Sequence, residues 1–279
     1  MTDPKKIPYL LKLLDDESEE VQKTILKELA SFGNLLDQEL EKLPDADKEL
    51  KQRVHDLLGE YYRNRIKELW KGWLDLAEDK ERLESALGLI SEYQNGMAHP
   101  AKLKDALDQL AYEYRENYPE PSAASLAEFL FQVKGLRGAE SDYYNPFNSN
   151  LVYVIEKKRG LPISLATVYI LVGYRLGLRV EGCNFPGHFL ARIFLNEKMI
   201  LVDCFNGGRF MDPAEIDTSI DAPEPIENIL QREAEAESIV ARFLNNLIHA
   251  YQQNEDEKNC QLMIDLLNLL QGSEDGWQA

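Results

Sequence analysis

The stretch from Gly160 to Gly208 constrains the fold of this chain more than any other, because its hydrophobic pattern changes there from helical to strand-like. It reads GLPISLATVYILVGYRLGLRVEGCNFPGHFLARIFLNEKMILVDCFNGG. Pro162 stands where the first turn of a helix tolerates proline, and apolar residues follow at helical spacing until Gly177. The pattern predicts a core helix of about four turns.

Two apolar-alternating segments follow this helix. A short strand is predicted at Arg179–Cys183, and a second starts at His188 after a Pro-Gly turn. A return strand, Met199–Cys204, is expected to pair with the second one around a short polar loop, which would bring Asp203 back toward His188. A carboxylate beside an imidazole fixes its tautomer and raises its basicity, so the sequence predicts a chemical site here.

Charge and composition narrow the class of partner. The chain has 279 residues, a net charge of −18 and a pI near 4.7, which is enough chain for about two domains. Such an acidic protein gains nothing from counterion release on nucleic acid or from attraction to an anionic membrane surface. It also lacks an apolar run long enough to cross a bilayer. We therefore expect a protein or peptide partner, and neither nucleic acid nor membrane.

The three cysteines are Cys183, Cys204 and Cys260. An odd number without CxxC spacing argues against a disulfide framework and against structural zinc. The start of the sequence, MTDPKKIPYL, has no apolar segment of the signal-peptide type. We predict a cytoplasmic protein without a cofactor or a resident metal.

Amphipathic helices flank the organising stretch on both sides. The N-terminal region, residues 1–80, begins with a helical hairpin that resembles one HEAT-type repeat and continues into a long helix. The C-terminal region, residues 219–279, resembles a tetratricopeptide-type hairpin. Between them we expect the core domain, residues 81–218.

Four sequence motifs stand in fixed order within roughly residues 83–212. They are DYYNPFNSNL at Asp142–Leu151, RGLPISLATVYI at Arg159–Ile170, PGHF at Pro186–Phe189 and DCFNGG at Asp203–Gly208. Together they resemble the transglutaminase-like superfamily, and more narrowly its SirB-type branch.

The resemblance implies an α+β fold that is mostly helical, with a central helix packed on a small antiparallel sheet. It also implies a papain-like triad, formed by a Cys at the helix start, a His and an Asp. His188 and Asp203, fifteen positions apart, match the last two members. The place of the cysteine falls on Pro162 or, with a shifted alignment, on Ser164, and neither is a thiol. We therefore predict no thiol-dependent protease or transglutaminase activity.

The motifs also suggest the walls of a cleft beside His188. The loop 138–150 is rich in Asn, Pro, Gly and Tyr, and loops of that length inside a compact domain are often functional. The alternative is a turn whose Asn side chains satisfy backbone donors. The predicted walls of the cleft are Tyr143, Tyr144, Asn148, Pro186 and Phe205, with Pro162 and Cys183 as further binding residues beside them.

Three functions remain open on these residues. The first is a pseudoenzyme that acts as a regulatory protein- or peptide-binding module. The second is a hydrolase or acyltransferase in which His188 activates Ser164 or Cys183, since Cys204 faces away from His188 if Asp203 faces toward it. The third is a metal site built from the His, the Asp and a cysteine, whose spacing matches no known pattern.

Overall fold

The computed structural model describes residues 3–14, 18–42, 44, 47–96, 103–216 and 224–274. By its internal contacts the chain divides into two units. One comprises Met1–Trp70 and Leu89–Ala101, and the other comprises Lys71–Gly88 and Lys102–Ala279. The predicted site residues all belong to the second unit.

The described part of the first segment, up to Trp70, forms four helices around one apolar cluster. Leu29, Val54 and Leu58 are among the buried side chains of this cluster. Such packing is what the helical spacing of leucines in the sequence predicts. The helices are α1 (Ile7–Lys12), α2 (Glu19–Ala30), α3 (Asn34–Glu41) and α4 (Lys48–Leu69).

The second unit combines helices with a small sheet. Its first helix also supplies residues to the first unit, and a π-helix, Glu128–Val133, continues the third one directly. The helices are α5 (Asp79–Gln94), α6 (Leu103–Asn117), α7 (Ala123–Ala127), α8 (Leu151–Lys157), α9 (Pro162–Arg175), α10 (Ile226–Gln231), α11 (Ala236–Gln253) and α12 (Glu257–Glu274).

The sheet of the second unit is antiparallel and follows chain order. Its four strands are neighbours in the order β3-β4-β5-β6, and a separate pair, β1 and β2, is parallel. The sequence did not predict β1, β2 or β6. The strands are β1 (Arg137–Gly138), β2 (Arg159–Gly160), β3 (Val180–Cys183), β4 (Leu190–Leu195), β5 (Lys198–Asp203) and β6 (Arg209–Met211).

Helix α9 is the buried centre of this unit. Every residue from Pro162 to Gly173 is buried, so the helix is surrounded by protein on all sides. Its end is a Schellman motif, in which the Leu178 amide donates to the Gly173 carbonyl and the Gly177 amide to the Tyr174 carbonyl. Gly177 has φ of +68°, a backbone conformation that glycine adopts easily because it has no Cβ atom.

The hairpin between β4 and β5 differs slightly from the sequence prediction. His188 lies two residues before β4 rather than within it, and Asp203 is the last residue of β5. The loop is only Asn196 and Glu197, both with positive φ, as the tightest hairpin turns require. Lys198, which precedes the predicted return strand, is already part of β5 and pairs with Leu195.

These observations support an α+β class, mostly helical, with a small antiparallel sheet packed on a central helix. The three-part domain division predicted from the sequence stays a prediction, and its second boundary, 218/219, lies outside the described residues. In the described part of the chain, no helix is long and apolar enough to span a membrane.

Candidate functional site

His188 and Asp203 lie side by side where the β4–β5 hairpin ends. The His188 Nε2 atom is 2.8 Å from Asp203 Oδ1. The pairing follows from the register, because Ala191 pairs with Val202 and the next step outward places Asp203 beside the residues that enter β4. The His188 side chain is one-third exposed (33%), whereas that of Asp203 is 10% exposed. The imidazole can therefore reach a ligand while its carboxylate partner is protected.

Asn206 completes the support of this carboxylate. Its backbone amide donates to Asp203 Oδ1 at 3.2 Å, and its side-chain Nδ2 donates to Oδ2 at 2.7 Å. Burial by itself raises the pKa of Asp203, but the hydrogen bonds from His188 and Asn206 outweigh it and hold the pKa below its usual value. Asp203 is therefore ionised at neutral pH.

The ionised carboxylate fixes the tautomer of the imidazole. Because a carboxylate can only accept, the Nε2 atom of His188 must carry the proton it donates to Asp203. In the neutral ring, Nδ1 is then an acceptor, and no described residue hydrogen-bonds to it. The ring is oriented as a base whose second nitrogen is open to a ligand.

The start of α9, where the resemblance places a cysteine, offers no free nucleophile. Pro162 is the first residue of the helix and is buried. Ser164 is fully buried, and its hydroxyl donates to the Asn148 carbonyl oxygen at 2.7 Å. The same carbonyl accepts the Leu161 amide at 3.4 Å, so the Ser164 hydroxyl ties α9 to the preceding loop.

The thiols are buried as well. The Cys183 side chain lies beside the Ile229 carbonyl of α10, and burial raises its pKa to about 11. Burial, together with the negative charge of Asp203, raises the pKa of Cys204 well above its usual value. Cys260 is buried in α12. A thiolate is therefore disfavoured at Cys183 and Cys204 at neutral pH.

A series of aromatic rings extends outward from His188. The rings of His188 and Phe205 lie 6.1 Å apart, those of Phe205 and Tyr143 6.4 Å apart, and those of Tyr143 and Tyr144 5.6 Å apart, all in edge-to-face geometry. Tyr143 and Tyr144 are 42% and 54% exposed. Exposed tyrosines in contact with each other provide a rigid amphipathic surface suited to binding.

The five predicted cleft residues do not share one cavity. Asn148 and Phe205 line a cleft of about 670 Å³, together with Asn206. Pro186 lines a second cavity of about 460 Å³, formed mainly by the connection between α10 and α11 and by residues of these two helices. Asn148 is buried, and its side-chain amide donates to the carbonyls of Asp142 and Tyr143. It therefore shapes the loop by binding backbone acceptors, whereas the alternative interpretation expected asparagines that satisfy backbone donors, as Asn145 and Asn150 do.

Sequence reasoning missed three residues that build the site. Asn206 belongs to a quoted motif, and its place three residues after Asp203 is a signal that could have been used. Gln132, from the π-helix, donates to the Gly207 carbonyl and anchors the loop that follows Asp203. Arg242, from α11, hydrogen-bonds to Asn184 and Phe185 just before His188, and no sequence pattern connects it to this loop.

No ligand set for a metal is assembled here. Among the described residues, no group of three or more His, Cys, Asp or Glu side chains is placed to hold a metal ion. Asp203 has both oxygens engaged by His188 and Asn206.

A central buried helix, a small antiparallel sheet and a His–Asp pair at its end define a transglutaminase-like core. The family model described as "Transglutaminase-like superfamily" matches residues 101–245, which is more than half of the chain. The chain belongs to this superfamily. Whether it belongs to the narrower SirB-type branch stays a prediction.

Several curated proteins are similar in sequence to this chain. A UPF0162 protein of Xylella fastidiosa (strain Temecula1) is 36% identical over 170 residues, which cover 56% of this chain and 60% of that protein. F-box only protein 21 of Mus musculus is 26% identical over 148 residues, 50% of this chain and 23% of that protein. A UPF0162 protein of Vibrio cholerae is 27% identical over 136 residues, 48% of this chain and 49% of that protein.

The chain thus spans less than two-thirds of the length of these relatives. No solved structure gave a significant match.

Proposed function

We propose that this protein is a non-catalytic or regulatory module of the transglutaminase-like superfamily that binds a protein or peptide beside His188. One observation carries the proposal. The His188–Asp203 pair is intact and accessible, yet no described Cys or Ser side chain hydrogen-bonds to His188. A base without a nucleophile can still donate or accept hydrogen bonds to a ligand, but it cannot form an acyl-enzyme.

The surroundings of His188 support binding. Tyr143, Tyr144 and Phe205 form the aromatic surface described above, and exposed aromatic residues are typical anchors of protein interfaces. The match to F-box only protein 21 covers less than a quarter of that protein, which fits a domain that can be used within a longer chain. The proposal keeps the division into three domains, residues 1–80, 81–218 and 219–279. In it, the HEAT-like and tetratricopeptide-like hairpins of the two flanking domains help the core to bind its partner.

The compartment and partner class complete the proposal. The three cysteines are free thiols, which fits a reducing compartment, and we place the protein in the cytoplasm. The net charge of −18 favours a partner with basic surface and disfavours nucleic acid.

Catalysis by a substitute nucleophile is the second candidate. It would require Ser164 to leave its hydrogen bond with Asn148, or Cys183 to ionise from a pKa of about 11 while it is covered by α10. Both rearrangements cost free energy before any reaction starts. The contacts that hold the Ser164 hydroxyl and the Cys183 thiol in place therefore favour the binding module over catalysis.

The test combines thiol labelling with peptide selection. The protein is incubated with iodoacetamide at neutral pH, the modified cysteines are mapped by mass spectrometry, and peptide hydrolysis and amine incorporation are assayed in parallel. We expect slow labelling that is unchanged in His188→Asn, and no activity. Fast alkylation of Cys183 that depends on His188, together with a measurable activity, would overturn the proposal.

Binding is tested with a fixed random-peptide display library. We expect the enriched peptides to lose affinity for Tyr143→Ala. The control is Tyr112→Ala, because Tyr112 is also an exposed tyrosine (59%) but lies on α6, outside the aromatic surface. If no peptides are enriched, or if they bind both variants alike, the aromatic surface is not the binding site.

A further inference from the structure

Arg242, on α11, has an unusual environment for an arginine. Its Nη1 atom donates to the Asn184 side-chain oxygen at 2.5 Å and to the Phe185 carbonyl at 2.9 Å. Its guanidinium carbon lies 5.5 Å from the centre of the Phe189 ring. These contacts hold the guanidinium in one place, but all of them involve uncharged groups.

Other arginines of the same unit are paired with carboxylates. Arg192 binds Glu181 at 2.5 Å, and Arg175 binds Glu84 at 2.7 Å and Asp108 at 2.6 Å. No described carboxylate forms an ion pair with Arg242. An acidic chain therefore leaves one of its half-buried cations without a counter-charge.

Burying a charged guanidinium without a counter-charge costs free energy, and a bound anion would offset that cost. Burial lowers the pKa of Arg242, which reflects the partial loss of water around its guanidinium. Only Nη1 is engaged, so Nε and Nη2 lack partners among the described residues. Together these two atoms form the planar fork that binds a carboxylate through two hydrogen bonds.

A cavity adjoins this arginine. Arg242 lines the cavity of about 460 Å³ that also includes Asn184, Pro186 and Ser238. This volume suffices for a small ligand or one to two residues of a peptide.

The other charges in this cavity are compensated or solvated. Arg232 binds Glu224 at 3.0 Å and 3.1 Å, and Glu233 binds Lys80. Glu235, the remaining lining carboxylate, is exposed to solvent. Arg242 is therefore the cation left to meet an incoming anion.

We infer that Arg242 forms a carboxylate-binding subsite of this protein, for a peptide's C-terminal carboxylate or its acidic side chain. The inference rests on the proposed binding function, because it names the ligand chemistry next to the same surface. Arg242 hydrogen-bonds to the Phe185 carbonyl, and the next residue, Pro186, lines the same cavity and lies two residues before His188. A peptide bound at Arg242 can thus continue along this loop toward His188.

The test uses small carboxylates as probes and follows the Arg242 Nε–H signal by ¹H–¹⁵N NMR at 0.15 M salt, where long-range repulsion by the acidic surface is screened. N-acetylglycine represents a peptide C-terminus, and N-acetylglutamate N-methylamide represents an acidic side chain. Their uncharged counterparts are N-acetylglycinamide and N-acetylglutamine N-methylamide. We expect a saturable shift with one or both carboxylates and none with the amides, and the stronger carboxylate identifies the source.

Variants check that the effect belongs to Arg242. Followed through the Asn184 and Ser238 backbone amides, Arg242→Gln should weaken binding about tenfold or more, because a charge-assisted hydrogen bond is lost. Arg242→Lys, which keeps the charge but not the fork, should bind more weakly than the wild type. Arg232→Gln, in the same cavity, is the matched control and should stay within about twofold of wild type, since its guanidinium is already paired. Thermal melts confirm that each variant is folded.

Equal shifts with carboxylates and amides, no saturable shift, or equal losses in Arg232→Gln and Arg242→Gln would overturn the subsite. These outcomes are independent of thiol reactivity and of peptide selection. A failed subsite with successful peptide selection therefore leaves the binding module standing, and the reverse result leaves the subsite standing.

Discussion

Two charged pairs on the same hairpin sheet have opposite characters. Arg192 and Glu181 face each other on β4 and β3, are both nearly fully buried, and are bonded at 2.5 Å. Arg192 also donates to the Leu230 carbonyl at 2.8 Å. His188 lies just before β4 and Asp203 at the end of β5, where the imidazole is one-third exposed and one of its nitrogens has no hydrogen-bond partner among the described residues.

This difference indicates that the Arg192–Glu181 pair contributes to stability, whereas the His188–Asp203 pair is available to a ligand. Burial by itself raises the pKa of Glu181, but hydrogen bonds from Arg179 and Arg192 outweigh it, so the carboxylate stays charged inside the protein. Neither Glu181 nor the Arg192 guanidinium has room for a ligand. At His188 and Asp203, in contrast, the carboxylate is satisfied by protein and the imidazole is not.

The largest expected effect is on the buried pair. Arg192→Met leaves the Glu181 carboxylate without its buried partner, and we expect the free energy of unfolding to fall by about 3–5 kcal/mol. Urea denaturation measures it. The double variant Glu181→Leu with Arg192→Met removes both charges and should recover most of the loss. If the double variant is no more stable than Arg192→Met alone, the unpaired Glu181 carboxylate is not the cause of the lost stability.

At the exposed pair, Asp203→Asn should cost about 1–3 kcal/mol at neutral pH, because it removes a charged acceptor of three hydrogen bonds. The pKa of Asp203 is lower in the folded than in the unfolded state, so its contribution is complete above the unfolded pKa. It disappears as the pH falls through the folded pKa.

Urea denaturation of both proteins between neutral and strongly acidic pH measures this dependence. The difference should be constant near neutrality and shrink only in acid. Asp212→Asn is the control, since Asn replaces Asp equally well as the cap of a short 3₁₀ turn. A difference that stays constant down to low pH would show that the charge of Asp203 contributes nothing.

The third prediction asks whether the start of α9 faces His188. Pro162→Cys places a thiol at the first position of the helix, and we expect iodoacetamide to label it about tenfold faster at neutral pH than in Pro162→Cys with His188→Asn. Ser164→Cys, two residues further into the helix and fully buried, is the matched control and should be labelled slowly. Equal rates with and without His188 would place the lost nucleophile elsewhere.

The smallest effect concerns the hydroxyls of α9. Ser164→Ala removes the hydrogen bond to the Asn148 carbonyl and should cost about 1 kcal/mol in urea denaturation. Thr167, also buried in α9, has a hydroxyl without a partner in the described structure. Thr167→Val should therefore be neutral or stabilising. The reverse ranking would mean that Ser164 contributes no net stability through this bond.

Much of the core was predictable because its signals are local. Helix α9 begins at Pro162 and ends before Gly177 as the periodicity indicated, and the β4–β5 hairpin follows from alternating apolar residues around a two-residue turn. Strand β6 was missed, since three residues with an exposed phenylalanine carry no strand pattern.

The sequence by itself determined the central helix, the hairpin and the approach of Asp203 to His188, because helical periodicity and antiparallel pairing act between residues close in the chain. Only the tertiary structure decided that Ser164 is committed to Asn148, that α10 covers Cys183, and that Arg242 has no carboxylate partner among the described residues. Exposure and ion pairing depend on which distant segments pack together, and that packing is set by the whole core rather than by any one segment.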